Sequence, residues 1–172
     1  MLKTLSVLRF KYFRERILAP VLQIQLAPTL GYLVCLAISY FYLFIDDPRL
    51  PVELPHLLWI GFNLSAICFL LGSFLTKKAK SKPSQISLKD GSAIVVMAWV
   101  VAVAISALVY YTGGFPFYGD FVSLPISHQI VDSLFEAMSG YSTTGASVIP
   151  DIEMFPRGIL AWRTMTHWLG GM

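Results

Sequence analysis

The sequence predicts an all-α integral membrane protein: two N-terminal transmembrane helices, then a helix, a re-entrant loop and a second helix. Three observations carry this prediction. First, the 172 residues are 56% hydrophobic and only 13% charged, with a mean hydropathy of +0.66; a soluble domain carries roughly 25% charged residues. Second, the apolar residues gather into long runs near the about 20 residues that a bilayer-crossing helix needs. Third, between the third and fourth runs lies Asp132–Ser147, DSLFEAMSGYSTTGAS, whose apolar helical part is too short to cross. Such an element is expected to dip into the membrane and return to the same side.

The elements follow in order. Residues 1–25 open with Lys3, Arg9, Lys11, Arg14 and Arg16 among Leu and Phe, a basic leader. A cleaved signal would have an apolar region of about 7–15 residues ending at small residues. The run Leu26–Ile45 is longer and ends in Asp46-Asp47, so it reads as an uncleaved first span, with Pro28 tolerable in its first turn. A polar loop over Asp46–His56 leads to the second span, Leu57–Leu75. Gly61, Asn63, Ser65, Gly72 and Ser73 in that span suit close helix packing in lipid, with Asn63 expected to bond across helices. Lys77, Lys78, Lys80 and Lys82 follow. Positive loops stay in the cytoplasm. The basic N-terminus agrees, because two spans return the chain to its starting side, and the acidic loop falls outside. The same lysines are suited to anionic lipid.

Ser87-Leu88-Lys89-Asp90 introduces the third span, Ala93–Tyr111, which ends at the interfacial pair Tyr110-Tyr111. Thr112–Ile130 reads as an outer loop with Gly113, Gly114, Pro116, Gly119 and Pro125, and Val148–Pro156 as the return from the re-entrant stretch. Gly158–Met172 begins a fourth span. Its fifteen residues reach about 22 Å against a hydrocarbon core of about 30 Å, so the last helix is expected to be truncated and the chain to be a piece of a longer protein. The chain divides into residues 1–87, the leader and two spans, and 88–172, the incomplete repeat; no internal repeat is visible. The net charge of +3 sits mostly in two flanking basic clusters, which speaks for topology and against nucleic acid. Cys35 and Cys68 lie inside apolar spans and have neither metal-ligand spacing nor a disulfide framework around them.

The re-entrant stretch carries the chemistry. Ser133-Leu134-Phe135-Glu136 fits a capping box, with Asp132 a second candidate cap, so the short helix is expected to begin there. Gly140 is the expected stop. Asp132, Glu136 and Gly140 are thus the helix-supporting residues. The negative end of the helix dipole then points at Tyr141–Gly145, which favours a cation. From Met138 to Pro150 the sequence has no charged residue. Backbone carbonyls with a Thr hydroxyl replace the water shell of a cation without holding it too tightly to leave. Thr143, Thr144, Gly145, Ala146 and Ser147 are the candidate ion-binding residues, with K⁺ at Thr143 and Thr144, and Gly145 allows backbone angles that aim carbonyls at one axis. Laid on the potassium-channel pattern Thr-Val-Gly-Tyr-Gly, only the first Thr and first Gly coincide. A structural Ser/Thr turn closing a helix is the other reading of the same residues. Arg157 reads as interfacial and Arg163 as deeper, an intramembrane charge that is either functional or snorkels outward. Glu136, His128 and His167 have none of the spacings of a metal or proteolytic site.

The run Asp132–Met172, with Leu134-Phe135-Glu136, Ser139-Gly140, Thr143-Thr144-Gly145-Ala146, Pro156-Arg157, Trp162-Arg163 and Trp168-Leu169-Gly170-Gly171-Met172, resembles the first pore-loop region of the Trk/Ktr/HKT potassium transporters. It is closest to their bacterial TrkH branch. Leu88–Trp99 resembles the lead-in to that family's first pore-lining helix; before it the likeness is only topological. The resemblance implies a potassium-channel-like pore unit, in which residues 26–75 are two helices that precede the repeats and Ala93–Met172 is the first repeat. It implies four such repeats around one pore, each keeping one filter glycine, here Gly145, with the oxygens of Thr143 and Thr144 facing the ion and Ala146 and Ser147 continuing outward. It also implies a homodimer, a cytoplasmic nucleotide-binding TrkA-type subunit, and the bacterial plasma (inner) membrane with a cytoplasmic N-terminus.

The expected function is therefore potassium transport, with no covalent chemistry, no enzyme activity and no cofactor besides the transported ion. The 172 residues lack repeats two to four, and such a piece is not expected to conduct by itself. The alternatives are a small membrane scaffold whose re-entrant segment is packing, and an intramembrane hydrolase using Glu136 and His167.

Overall fold

The computed structural model describes residues 11–45, 55–78, 87–114, 125–152 and 155–172. Every element among them is helical. Helix α1 spans Ala19–Ile24, α2 Leu26–Leu43, α3 Pro55–Lys78, α4 Leu88–Val109, α5 Ile126–Tyr141 and α6 Arg157–Gly171. A π-helical turn at Arg14–Leu18 precedes α1, and another at Tyr110–Gly114 extends α4. Among the described residues, three segments are long and apolar enough to cross a membrane: Lys11–Leu43, Pro55–Lys77 and Leu88–Thr112.

The first span corrects one expectation. The leader from Lys11 onward is not separate from the span but is the lower part of one 33-residue helical segment. That segment breaks at Gln25, between α1 and α2. Pro28 explains the break: it has no N–H for the carbonyl of Ile24, four residues earlier, and its ring crowds that carbonyl. The other two spans start earlier than hydropathy alone indicates. In α4 the reason is a cap, for Ser87 Oγ accepts the Asp90 N–H at 3.1 Å. Tyr12 ties this end of α4 to the leader by donating to Asp90 Oδ2 at 2.6 Å.

Helix α2 packs on α3 and α6, α4 on α3 and α5, and α5 on α6. The core lies where these meet, around Tyr32, Cys35, Leu58, Val103, Tyr141, Ile159 and Trp162. The Tyr32 ring stacks on Trp162, with centroids 3.5 Å apart and planes at 16°. Cys35 is buried and Cys68 half-buried, both free. Asn63 does not bond across helices: its amide donates to the Trp59 carbonyl of its own α3 at 2.7 Å.

Helix α5 is polar inward and apolar outward. Ser133, Glu136, Ser139 and Gly140 are buried, while Val131, Leu134, Phe135 and Met138 are exposed. That inversion suits lipid or further protein and not water. At 16 residues α5 is about 24 Å long, short of the hydrocarbon core. Its start corrects a second expectation. The helix begins at Ile126 after Pro125, with no side-chain cap. Ser133 and Asp132 are therefore interior positions, and Ser133 Oγ donates back to the Gln129 carbonyl at 2.8 Å. The acidic loop at Asp46-Asp47, Lys80, Lys82 and most of the Thr112–Ile130 loop lie outside the described residues.

Candidate functional site

The site is built at the C-terminal end of α5, where the chain reverses. The helix does not stop at Gly140, as the sequence suggests, but continues to Tyr141, with Ser142 as its C-terminal cap. Gly140 serves another purpose: a methyl group there would overlap Thr166 Oγ1 of α6. Two hydrogen bonds close the helix, Thr143 N–H to the Gly140 carbonyl at 2.9 Å and Thr144 N–H to the Ser139 carbonyl at 3.1 Å. This is the Schellman pattern. Its left-handed position is usually glycine, but here it is Thr143, at φ 59°. A β-branched residue there is strained by about 1–2 kcal/mol. Thr143→Gly is accordingly expected to raise the unfolding temperature of the detergent-solubilised chain, by an amount matching a gain of about 0.5–1 kcal/mol; calorimetry or a thermal melt reads it.

Beyond the cap the chain climbs back along α5. Ser139 Oγ donates to the Ala146 carbonyl at 2.6 Å. One turn further back, Glu136 Oε1 accepts the Ser147 hydroxyl and the Val148 N–H, the latter at 3.0 Å. Ser147 Oγ in turn accepts the Ile149 N–H at 3.1 Å. The loop thus runs back antiparallel to α5, held there by side chains of that helix. Glu136 is not the capping partner that the Ser-x-x-Glu spacing suggests. It is 1% exposed and receives the loop on one oxygen and Arg163 Nε, at 3.4 Å, on the other. Arg163 also donates from Nη2 to the Gly145 carbonyl at 3.4 Å. A buried carboxylate needs such partners, since an unpaired one costs several kcal/mol.

These bonds sort the loop carbonyls. Those of Gly145 and Ala146 are occupied by Arg163 and Ser139. Those of Thr143 and Thr144 accept no hydrogen bond from the described residues. Ser142 through Val148 are exposed, and Thr144 Oγ1 lies 2.8 Å from Ser142 Oγ. Gly145 has φ 77°, an angle that only glycine adopts readily. At the C-terminal end of α5, α6 comes so close that a methyl group on Gly170 would overlap the Tyr141 carbonyl. Arg157 is the first residue of α6, and Asp132 is half-buried on α5.

Two of these roles escape the sequence reading: Ser139, which the Ser-Gly pair hints at only as a small-residue contact, and Gly170. His128 is exposed in the first turn of α5, about 12 Å along the axis from Glu136, and so does not join it. His167 lies near Gly145, and among the described residues no group of three His, Cys, Asp or Glu side chains is placed to hold a metal.

Comparison with known proteins follows the same residues. A family model described as cation transport protein, TrkH, matches residues 61–172. The Trk system potassium uptake protein TrkG of Escherichia coli K12 is 32% identical over 115 residues, covering 67% of this chain and 22% of that protein. The Trk system potassium uptake protein TrkH of Halomonas elongata is 33% identical over 122 residues, again 67% and 22%. An uncharacterized cation transporter of Methanocaldococcus jannaschii is 31% identical over 115 residues, 66% and 22%. The chain thus spans about a fifth of the length of these relatives. No solved structure matches it.

Proposed function

This chain belongs to the TrkH family of cation transport proteins, and from that membership we propose that it contributes one pore loop to a potassium uptake pathway. The observation that carries the reading is the loop Ser142–Ser147: uncharged, exposed, and fixed from behind by Glu136, Ser139 and Arg163, while the carbonyls of Thr143 and Thr144 stay open. The C-terminus of α5 points its partial negative charge at the same place. Fixed carbonyl dipoles without a formal charge suit a dehydrated K⁺ that must enter and also leave. Thr143 and Thr144 would supply ligands directly. Gly145 would set the backbone direction, and Ala146 and Ser147 would anchor the outer part of the loop. The protein would sit in the bacterial plasma membrane with its N-terminus and Lys77-Lys78 on the cytoplasmic side. It would work as a homodimer with a cytoplasmic nucleotide-binding TrkA-type subunit.

The test is Gly145→Ser in a full-length transporter carrying this segment. Serine at φ 77° is strained, so the loop should relax away from its ion-facing form. Rubidium and sodium uptake by cells lacking other potassium systems should show K⁺-over-Na⁺ selection falling roughly tenfold, the equivalent of about 1.4 kcal/mol. Unchanged selection at normal expression would defeat the reading.

A further inference from the structure

Away from the loop, the sequence gathers its positive charge into two segments. Residues 1–16 and 77–90 hold ten of the 13 basic side chains and two of the ten acidic ones, so they carry +8 while the rest of the chain carries −5. The fold draws parts of both segments to one place. Helix α3 runs so close along α1 that a methyl group on Gly72 would lie 2.8 Å from the Ala19 carbonyl and the Gln23 nitrogen. It also packs on the π-helical turn Arg14–Leu18, and that turn packs on α4. The Tyr12 hydroxyl, donating to Asp90 Oδ2, fastens the leader to the start of α4. Three lysines therefore stand at one membrane boundary. Lys11 begins the first apolar segment, Lys77 ends the second, and Lys89 is the second residue of the third.

The two acids at this boundary are already engaged. Glu15 pairs with Arg14 at 3.3 Å, and Asp90 holds Tyr12, over whose ring the Arg16 guanidinium lies at 5.7 Å. Lys11, Lys77 and Lys89 are exposed and have no acidic partner among the described residues. Cations gathered on one face repel one another until an anion covers them. Apolar surface at the same level decides which anion. Leu88 is 93% exposed, and Tyr12 and Phe13 are exposed too, a setting that suits acyl chains beside charged head groups. Lysine stems lie along such surface while the ammonium reaches the polar layer. We propose that this face binds an anionic phospholipid, with Lys11, Lys77 and Lys89 as the cations that hold its phosphate.

Native mass spectrometry of the chain in one detergent counts bound lipid directly. Dioleoylphosphatidylglycerol is expected to bind roughly tenfold more tightly than dioleoylphosphatidylcholine, since each lysine near an anionic membrane surface contributes roughly fivefold. Replacing all three lysines, by Lys11→Gln, Lys77→Gln and Lys89→Gln, should remove that preference and leave phosphatidylcholine binding unchanged. A control triple of Lys3→Gln, Lys80→Gln and Lys82→Gln removes the same charge from sequence outside the three apolar segments and should keep most of the preference. Tyr12→Phe changes no charge but unfastens the leader from α4, and should weaken phosphatidylglycerol binding roughly threefold, within the range of one hydrogen bond. Free glycerol phosphate at the lipid's concentration should not displace it. Equal losses in the two triples would make the attraction diffuse and not a site. Equal affinity for the two lipids would leave an acidic protein surface as what the face fits, and displacement by glycerol phosphate would make the ligand a soluble anion. Any of these three results would overturn the proposal.

Discussion

Glu136→Ala is expected to destabilise the chain by about 3–5 kcal/mol, the cost of removing one partner from a buried ion pair. The figure rests on what is left behind. Arg163, its side chain only 18% exposed, keeps the Gly145 carbonyl but loses its carboxylate. The Val148 N–H and the Ser147 hydroxyl lose their acceptor, and each orphaned group adds about 1–3 kcal/mol if it finds no water. The loop would then detach from α5. Chemical unfolding in detergent reads the stability, and K⁺-over-Na⁺ selection in a full-length transporter reads the loop. Arg163→Met should cost less, because Glu136 still receives two donors from the loop. Glu136→Gln keeps the acceptor for Ser147 and Val148 but turns an N–H toward Arg163. The double variant Glu136→Gln with Arg163→Met removes both charges together and should be more stable than the sum of the singles predicts. If the two single effects simply add, the pair does not hold the loop.

The same carboxylate shows why part of the site was legible in the sequence and part was not. Hydropathy adds along a chain, so the three spans can be read from composition, the second and third within about five residues at each end; the first is legible from Leu26 but not in its continuation back to Lys11. The uncharged loop after a short helix is legible for the same reason, because absence of charge is local. The start of α5 is not. Ser127, His128 and Gln129 are polar and follow Pro125, so they resemble loop; in the fold they form the first turn of a helix whose depth, not its polarity, is set by packing against α4 and α6. Ser133-x-x-Glu136 matches a cap by spacing, yet Glu136 takes its partners from residues 11 to 27 positions later. No local pattern encodes that. Thr143 misleads in the opposite sense: the left-handed position invites glycine, and the preceding glycine, Gly140, is kept inside the helix because α6 needs the room.

Gly170→Ala carries the second large effect, and the comparison among glycines gives the argument its force. At Gly170 the added methyl would overlap the Tyr141 carbonyl, with the Tyr141 Cα also only 2.9 Å away. Both obstacles are backbone, so no rotamer change relieves them. Either α6 moves away or the end of α5 does, and overpacking of this kind costs about 1–3 kcal/mol and sometimes more. Gly140→Ala meets Thr166 Oγ1 and its Cβ, the latter at 2.9 Å. There a companion Thr166→Ala removes the nearer atom and should restore part of the loss. Gly91→Ala is the contrast, for a methyl group added there would meet nothing within 4 Å beyond its own turn of α4, and the better helix former should add about 0.5–1 kcal/mol. Thermal melts in one detergent should rank Gly91→Ala above the unsubstituted chain, Gly140→Ala below it and rescued in part by Thr166→Ala, and Gly170→Ala lowest. Because a methyl group placed on Gly171 would lie 3.9 Å from Thr143 Cγ2 on the same approach, displacing α6 moves the strained turn, so Gly170→Ala should lower K⁺-over-Na⁺ selection together with stability. A Gly170→Ala chain that melts where the unsubstituted chain does would mean that α6 does not press on the loop at all.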